Sequence, residues 1–437
     1  MSRSVRRLRT LALLICGVLA MTTASAAQAD PIGTPDWTAH RWVGFHVPKA
    51  SLEPAHLSEL EDKTGVHAAV INYFQCISAP FSASQADNVS QCGAIPLLTL
   101  EMWEPGKGSV QPTYTLEAIN NGAFDATLTA YAAEAQAYGK PIWIRPFHEM
   151  NGNWYPWCGT VNGNSTAEFV LAWRRVHDIF ATARNVKLVW CPNIDSIDAE
   201  GRVNTDANAI SRYWPGAEYV DYMALDGYNF GEGDGMHWRA FSQLFAAPYA
   251  EICALSPTTP LFVAETGCAT VGGNKSAWIA DMFAVTPRSF PRIGGIGWFN
   301  AHKARDWRID SPAAGLDAFR GGVSGGEWAV AQRIGTWRSP SVLRLRAGQR
   351  SARRAQPLSL VVQLEPRGVA DRVRVEVRAP GSDRWVAVAP ALPRRGGAIW
   401  SCRYTPRVTG RYEFRARFAG DAMRAPAVAV TSRWVAR

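Results

Sequence analysis

The chain has 437 residues, 47% of them apolar and 19% charged, a balance that excludes a mainly disordered protein and suits two or three domains. Its net charge of +9 is unevenly divided. Residues 1–29 hold four arginines and no acid, residues 341–437 hold 20 arginines, no lysine and six acids, and residues 30–340 carry a net −9. An acidic body precedes a basic tail.

At the N-terminus, Arg3, Arg6, Arg7 and Arg9 precede an apolar stretch, Leu11 to Met21, and small-x-small sites end at Ala26 and Ala29. The apolar stretch is too short to anchor in a bilayer, so 1–29 reads as an export signal cleaved after Ala29 and the protein as secreted. No later segment is long and apolar enough to span a membrane. Cleavage removes Cys16 and leaves seven cysteines, which an oxidising destination permits to pair. Cys76 with Cys92 is the most natural disulfide, and Cys158 with Cys191 a second. Cys253 and Cys268 read as buried thiols, and Cys402 is alone in the tail. No CxxC or His-rich spacing points to a metal.

From residue 37 to about 325, apolar β-rich runs alternate with helical patterns. The runs are Trp42–Val47, Ala68–Phe74, Ile95–Leu100, Ile142–Phe147, Val186–Trp190, Val220–Leu225, Leu261–Ala264 and Ile293–Trp298. Helical periodicity is clearest over Thr127–Tyr138 and Ala167–Ala183. Continuous apolar runs mean strands buried on both faces, and eight of them predict a (β/α)8 barrel. An open doubly wound sheet is the alternative, weakened because no Gly-rich phosphate loop follows the first strand. Gly321-Gly322 and Ser324-Gly325-Gly326 predict a flexible break. Beyond it, the alternation in Leu358–Leu364, Arg372–Arg378, Trp385–Val388 and Arg411–Phe418 predicts a small immunoglobulin-like β-sandwich. The expected division is a signal at 1–29, a catalytic barrel at 30–325, a linker at 326–341 and an accessory sandwich at 342–437.

Active sites of barrels gather at the C-terminal strand ends. The fourth run ends Arg145-Pro-Phe-His148-Glu149-Met-Asn-Gly and the seventh ends Ala264-Glu265-Thr-Gly. Strands four and seven face each other across the mouth, so Glu149 and Glu265 can flank a cleft. One protonated carboxyl and one ionised carboxylate suffice to cleave a glycosidic bond. Trp103, Trp154, Tyr155, Trp157, Tyr228, Trp298 and Trp307 follow strand ends, where flat rings suit sugar faces. Trp190, inside a strand, reads as packing.

Arg145-Pro-Phe-His-Glu-Met-Asn-Gly-Asn-Trp-Tyr-Pro-Trp, with Asp226-Gly-Tyr-Asn and Glu265-Thr-Gly, resembles glycoside hydrolase family 26 from about residue 40 to 320. The resemblance implies a retaining endo-hydrolase of β-1,4-mannan, with mixed-linkage β-glucan and xylan as alternatives. It implies Glu149 as acid/base, Glu265 as nucleophile and Tyr228 as hydrogen-bond donor to that nucleophile. It also implies a strand-eight platform at Trp298 and substrate-side places for His148 and Glu104, beside the substrate contacts that their positions already suggest for Trp103, Trp154 and Trp157. No cofactor is expected. A non-hydrolytic polysaccharide-binding protein is the competing class. The basic tail lies outside the resemblance. Its charge suits an anionic cell-wall polymer, while Trp385, Trp400 and Trp434 offer stacking instead.

Overall fold

The computed structural model describes residues 41–325, 327–328, 342–348, 352–365, 373–388, 392–393, 399–418 and 427–436. The expected export signal and nearly all of the expected linker lie outside them. The first unit runs β1 (Trp42–His46), α1 (Ala55–Thr64), β2 (Val70–Cys76), α2 (Ala83–Gln91), β3 (Ile95–Glu101), α3 (Leu116–Asn120), α4 (Asp125–Tyr138) and β4 (Ile142–Pro146). It continues through α5 (Thr166–Phe180), β5 (Val186–Trp190), β6 (Tyr222–Asn229), α6 (Phe241–Leu255), β7 (Leu261–Cys268), α7 (Lys275–Ser289), β8 (Ile293–Phe299) and α8 (Ala313–Val323). The eight strands pair in parallel in chain order, and β8 returns to β1 from Trp42↔Gly295 to His46↔Phe299, closing a barrel. Between β5 and β6 the described chain makes only short 3-10 turns where the other crossovers carry α-helices.

Side chains alternate across each strand, so one set packs under the helices and the other fills the barrel. The lower interior holds aromatics: Trp42 lies edge-on to Trp143 at 6.1 Å, and Tyr222 lies 4.4 Å from Trp143. Gly295 makes this possible, because a Cβ there would lie 2.0 Å from the Trp42 ring. Above this apolar floor the inward side chains turn polar, with Asn72, Thr99, Arg145, Asp226 and Glu265 all buried. The change from apolar to polar along the axis places chemistry at the C-terminal mouth.

Three sequence expectations change. Gly321-Gly322 belong to the last turn of α8 and not to a break, and a Cβ on Gly322 would lie 2.2 Å from Phe283, so Gly322 serves close packing. All seven described cysteines are free thiols. Cys76 ends β2 at the mouth while Cys92 caps α2 before β3 at the opposite end, and Cys191 faces the barrel interior while Cys158 packs on the outer side. Cys268 is a buried thiol, pushed up to about 12 by burial, and Cys253 is half-buried.

The C-terminal region forms two sheets. One runs in the order β10 (Ala352–Arg353), β17 (Ala427–Ala436), β16 (Gly410–Phe418), β12 (Val373–Arg378), β13 (Val386–Ala387). The other runs β14 (Leu392–Pro393), β15 (Ile399–Tyr404), β11 (Leu358–Glu365), β9 (Val342–Ala347). Leu358, Leu360, Val362, Val375, Phe414 and Trp400 share their core. Trp400 is therefore a packing residue, not an exposed platform. No helix among the described residues is long and apolar enough to cross a membrane.

Candidate active site

Glu265 reaches the barrel interior through a break in strand register. Leu225 pairs with Val263 but Asp226 pairs with Glu265, and the same part of β7 shifts against β8. Simple alternation would turn Glu265 outward behind inward-facing Ala264. The bulge supplies the extra residue that aims its carboxylate inward. Arg145 sits beneath, fully buried, and donates to Asp226 at 2.7 and 2.8 Å, to Thr99 Oγ1 at 2.7 and 3.0 Å, and to Glu265. Asn72 Nδ2 donates to Glu265 Oε1 at 2.8 Å and the Tyr228 hydroxyl to Oε2 at 2.6 Å. Burial alone would push Glu265 up, but the Arg145 guanidinium and these donors outweigh it and bring the carboxyl down to about 2. It is ionised at any working pH.

Glu149 stands across the mouth, just beyond β4. Phe147 and Glu149 adopt φ of 52° and 55°, left-handed backbone that non-glycine residues hold only when their surroundings enforce it. The Glu149 amide donates to the Cys191 carbonyl at 2.7 Å and fixes that turn. Its side chain accepts from Asn193 Nδ2 at 2.7 Å and from Trp154 Nε1 at 2.8 Å. Burial, helped by the Glu265 charge, raises its pKa, and the two neutral donors only partly oppose this. The two carboxyls are thus driven in opposite directions. That is the division an acid and a nucleophile need.

The aromatics sort into supports and exposed rings. Trp157 is fully buried, stacks on Tyr155 at 4.4 Å, and donates its Nε1–H to the His148 carbonyl at 2.8 Å. It holds the acid-bearing turn from behind and is not a sugar platform. Tyr155 holds His148 through a 3.0 Å contact between its hydroxyl and Nε2, and burial keeps that imidazole neutral by pushing its pKa well down. Trp103 and Trp154 are half-buried at the mouth. Trp298 is the clearest correction. It is fully buried among Trp278 and Phe319, on the helix side of β8, donating to the Trp307 carbonyl at 2.8 Å. One residue further on, alternation turns Phe299 inward, where it stacks with His46 at 4.2 Å beside Tyr228. Glu104 is exposed and pairs with Lys107, outside the carboxylate cluster. Trp307 packs on Tyr228 at 4.9 Å, and Trp190 lies in the core.

Asn72, Thr99 and Asn193 are site residues that the sequence reading passed over, and Asp226, named there only within a motif, is the buried partner of Arg145. Glu101, at the end of β3, whose carboxyl burial pushes up, was passed over as well. Their common mark in the sequence is a polar side chain at inward parity within, or just past, an apolar run. Among the described residues no cluster of His, Cys, Asp and Glu has metal-binding geometry.

The model of glycosyl hydrolase family 26 matches residues 111–262, which include Glu149 and stop three residues short of Glu265. Endoglucanase H of Acetivibrio thermocellus is 33% identical over 295 residues, covering 65% of this chain and 30% of that one. A mannan endo-1,4-beta-mannosidase of Bacillus subtilis is 24% identical over 213 residues, covering 47% of this chain and 55% of that one. This chain therefore spans less than two thirds of the length of either relative. The crystal structure of an engineered protein, 18% identical, superposes with a TM-score of 0.50 over 94% of this chain and 95% of its own, a likeness of fold. With the His-Glu turn after β4, the inward Glu of β7 and the matched stretch on one barrel, this barrel is similar to glycosyl hydrolase family 26, whose model matches about a third of the chain.

Proposed function

We propose that the barrel is a retaining endo-hydrolase of β-1,4-linked polysaccharide, with mannan as its first substrate, and that residues 1–29 export it. One observation carries this: two buried carboxyls from opposite strands, Glu265 driven down by Arg145 and Glu149 driven up by burial. The Glu265 carboxylate attacks the anomeric carbon as the glycosidic bond breaks, and the leaving oxygen takes the proton of Glu149. A glycosyl ester on Glu265 results. Water then gives its proton to Glu149 and attacks the same carbon, freeing Glu265 and returning the β configuration. Tyr228 and Asn72 position the nucleophile, His148 and Trp154 line the sugar side, and Trp103 extends the cleft. Both carboxyls are present and tuned apart, which disfavours a purely binding protein.

Mannan is supported by the name of the Bacillus subtilis relative. Mixed-linkage β-glucan is a second reading, favoured by the 33% identity to a protein named endoglucanase, although the match covers only 30% of that chain. An anionic cell-wall polymer held by the basic tail is a further part of the proposal, resting on 20 arginines against six acids. Reducing-sugar release from mannan, galactomannan, lichenan and xylan tests the substrate. Glu149→Ala is expected to lose about 10²–10⁴ in rate and to recover on substrates whose leaving group needs no acid. Glu265→Ala is expected to recover only when azide replaces the nucleophile. Activity in either variant above about a hundredth of wild type removes that residue from its role.

A further inference from the structure

We propose that the outer face of the five-stranded C-terminal sheet binds a carboxylate-bearing polysaccharide, which gives the anionic partner suggested above a location and a chemistry. Tyr412, Phe414, Ala416 and Phe418 of β16 point into the sandwich core, so Arg411, Glu413, Arg415 and Arg417 face outward. Strand register builds rungs from these. Glu376 lies opposite Arg415, which lies opposite Val430, and Arg378 lies opposite Glu413, which lies opposite Ser432. Those rungs are neutralised within themselves: Arg415 Nε donates to Glu376 at 2.6 Å and Arg378 Nε to Glu413 at 3.1 Å. Trp385 lies against both guanidinium groups, at 4.3 and 5.1 Å.

The end rungs are different. Arg374 lies directly opposite Arg417, both are exposed, and no acid among the described residues pairs with either. Like charges directly opposite each other destabilise a strand pair. A bound carboxylate reverses the sign of that contact, and the arginine fork matches carboxylate geometry. At the other end, Arg411 lies opposite Trp434, whose exposure is 69%. Val428 and Val430, 59% and 61% exposed, complete an apolar line along β17 between the two ends. The six steps from Val428 to Trp434 span about 20 Å at about 3.4 Å per residue, the footprint of a linear chain. A neutral glycan would use the indole and leave the arginine pair uncompensated. A simple polyanion would satisfy the arginines and leave the indole and valines wet. An acidic polysaccharide uses both, and the surplus of arginine in the domain draws it in.

The test uses the full chain in affinity electrophoresis through gels containing polygalacturonate, neutral dextran or polyphosphate. Retardation by polygalacturonate alone, weakened at least tenfold in the Arg374→Ser/Arg417→Ser double variant and in Trp434→Ala, is the expected result. Arg374→Glu, placed opposite Arg417, is expected to abolish retardation while raising Tm, so lost binding cannot be mistaken for lost fold. Equal retardation by polyphosphate, no retardation, or retardation untouched by these variants overturns the proposal. So does salt-dependent self-association of the acidic body with the basic domain in the absence of glycan. Hydrolysis is read separately on soluble oligosaccharide and should not change, so failure here and failure of the catalytic proposal are distinguishable.

Discussion

Two glutamates of one barrel mouth differ in proton affinity because their neighbours differ in charge. Glu265 has a guanidinium, a phenol and an amide aimed at it, whereas Glu149 has only neutral donors, from Asn193 and Trp154. Because Glu265 stays ionised down to about pH 2, its titration leaves the neutral range untouched. In the proposed mechanism Glu149 must carry a proton for the first step, so kcat/KM should fall as pH rises through its elevated pKa. Asn193 and Trp154 donate to the ionised form and hold that pKa down. Removing a donor therefore raises it. The alkaline limb of kcat/KM should move to higher pH in Asn193→Ala and in Trp154→Phe, and a limb that moves to lower pH in both would detach Glu149 from the acid role.

The elements show what a sequence can and cannot carry. The run Val186–Trp190 was legible to the residue, because a strand buried on both faces leaves a string that is apolar at every position but one, here the half-buried Lys187. The inward turn of Glu265 was not, since a bulge is a relation between β6, β7 and β8 and leaves no mark in β7 alone. Trp298 was displaced by one residue for a related reason: parity along a strand separates the helix side from the mouth, and composition does not reveal it. The free Cys76 and Cys92 were misread because closeness in sequence hid the length of a βα unit between them. A loop has a hidden fastening too. Lys275, the first residue of α7, is 2% exposed and donates its ammonium to the carbonyls of Asp306, Arg308 and Ser311, at 3.0, 2.7 and 2.9 Å. These residues flank Trp307, which packs on Tyr228. Lys275→Met leaves three carbonyls without their donor and is expected to cost about 1–3 kcal/mol, a Tm lower by roughly 2–10 °C. Burial brings Lys275 down to about 8 from its ordinary 10.5, opposed by Asp306, Cys268 and Asp310 and reinforced by Arg308. Between those pH values the unfolded chain binds more protons than the folded one, so stability should rise with pH there. Chemical denaturation from pH 8 to 10.5 should show that rise in wild type and a flatter line in Lys275→Met. Equal slopes would refute it.

Across the whole molecule, charge and chemistry are divided between the two regions. The carboxyls and every aromatic at the mouth precede residue 310, and the barrel core and the sandwich core are separate clusters. Deleting residues 342–437 should therefore leave kcat/KM on soluble oligosaccharide unchanged, as a progress-curve comparison would measure. A large loss would place part of the active site in the tail. The central claim is double displacement through Glu265 with Glu149 as acid and then base, and its most direct test is the configuration of the first product. Proton NMR during early hydrolysis of a manno-oligosaccharide, or of a mixed-linkage gluco-oligosaccharide if that is the chain cut, should show the β anomer before mutarotation. The α anomer appearing first would contradict the account.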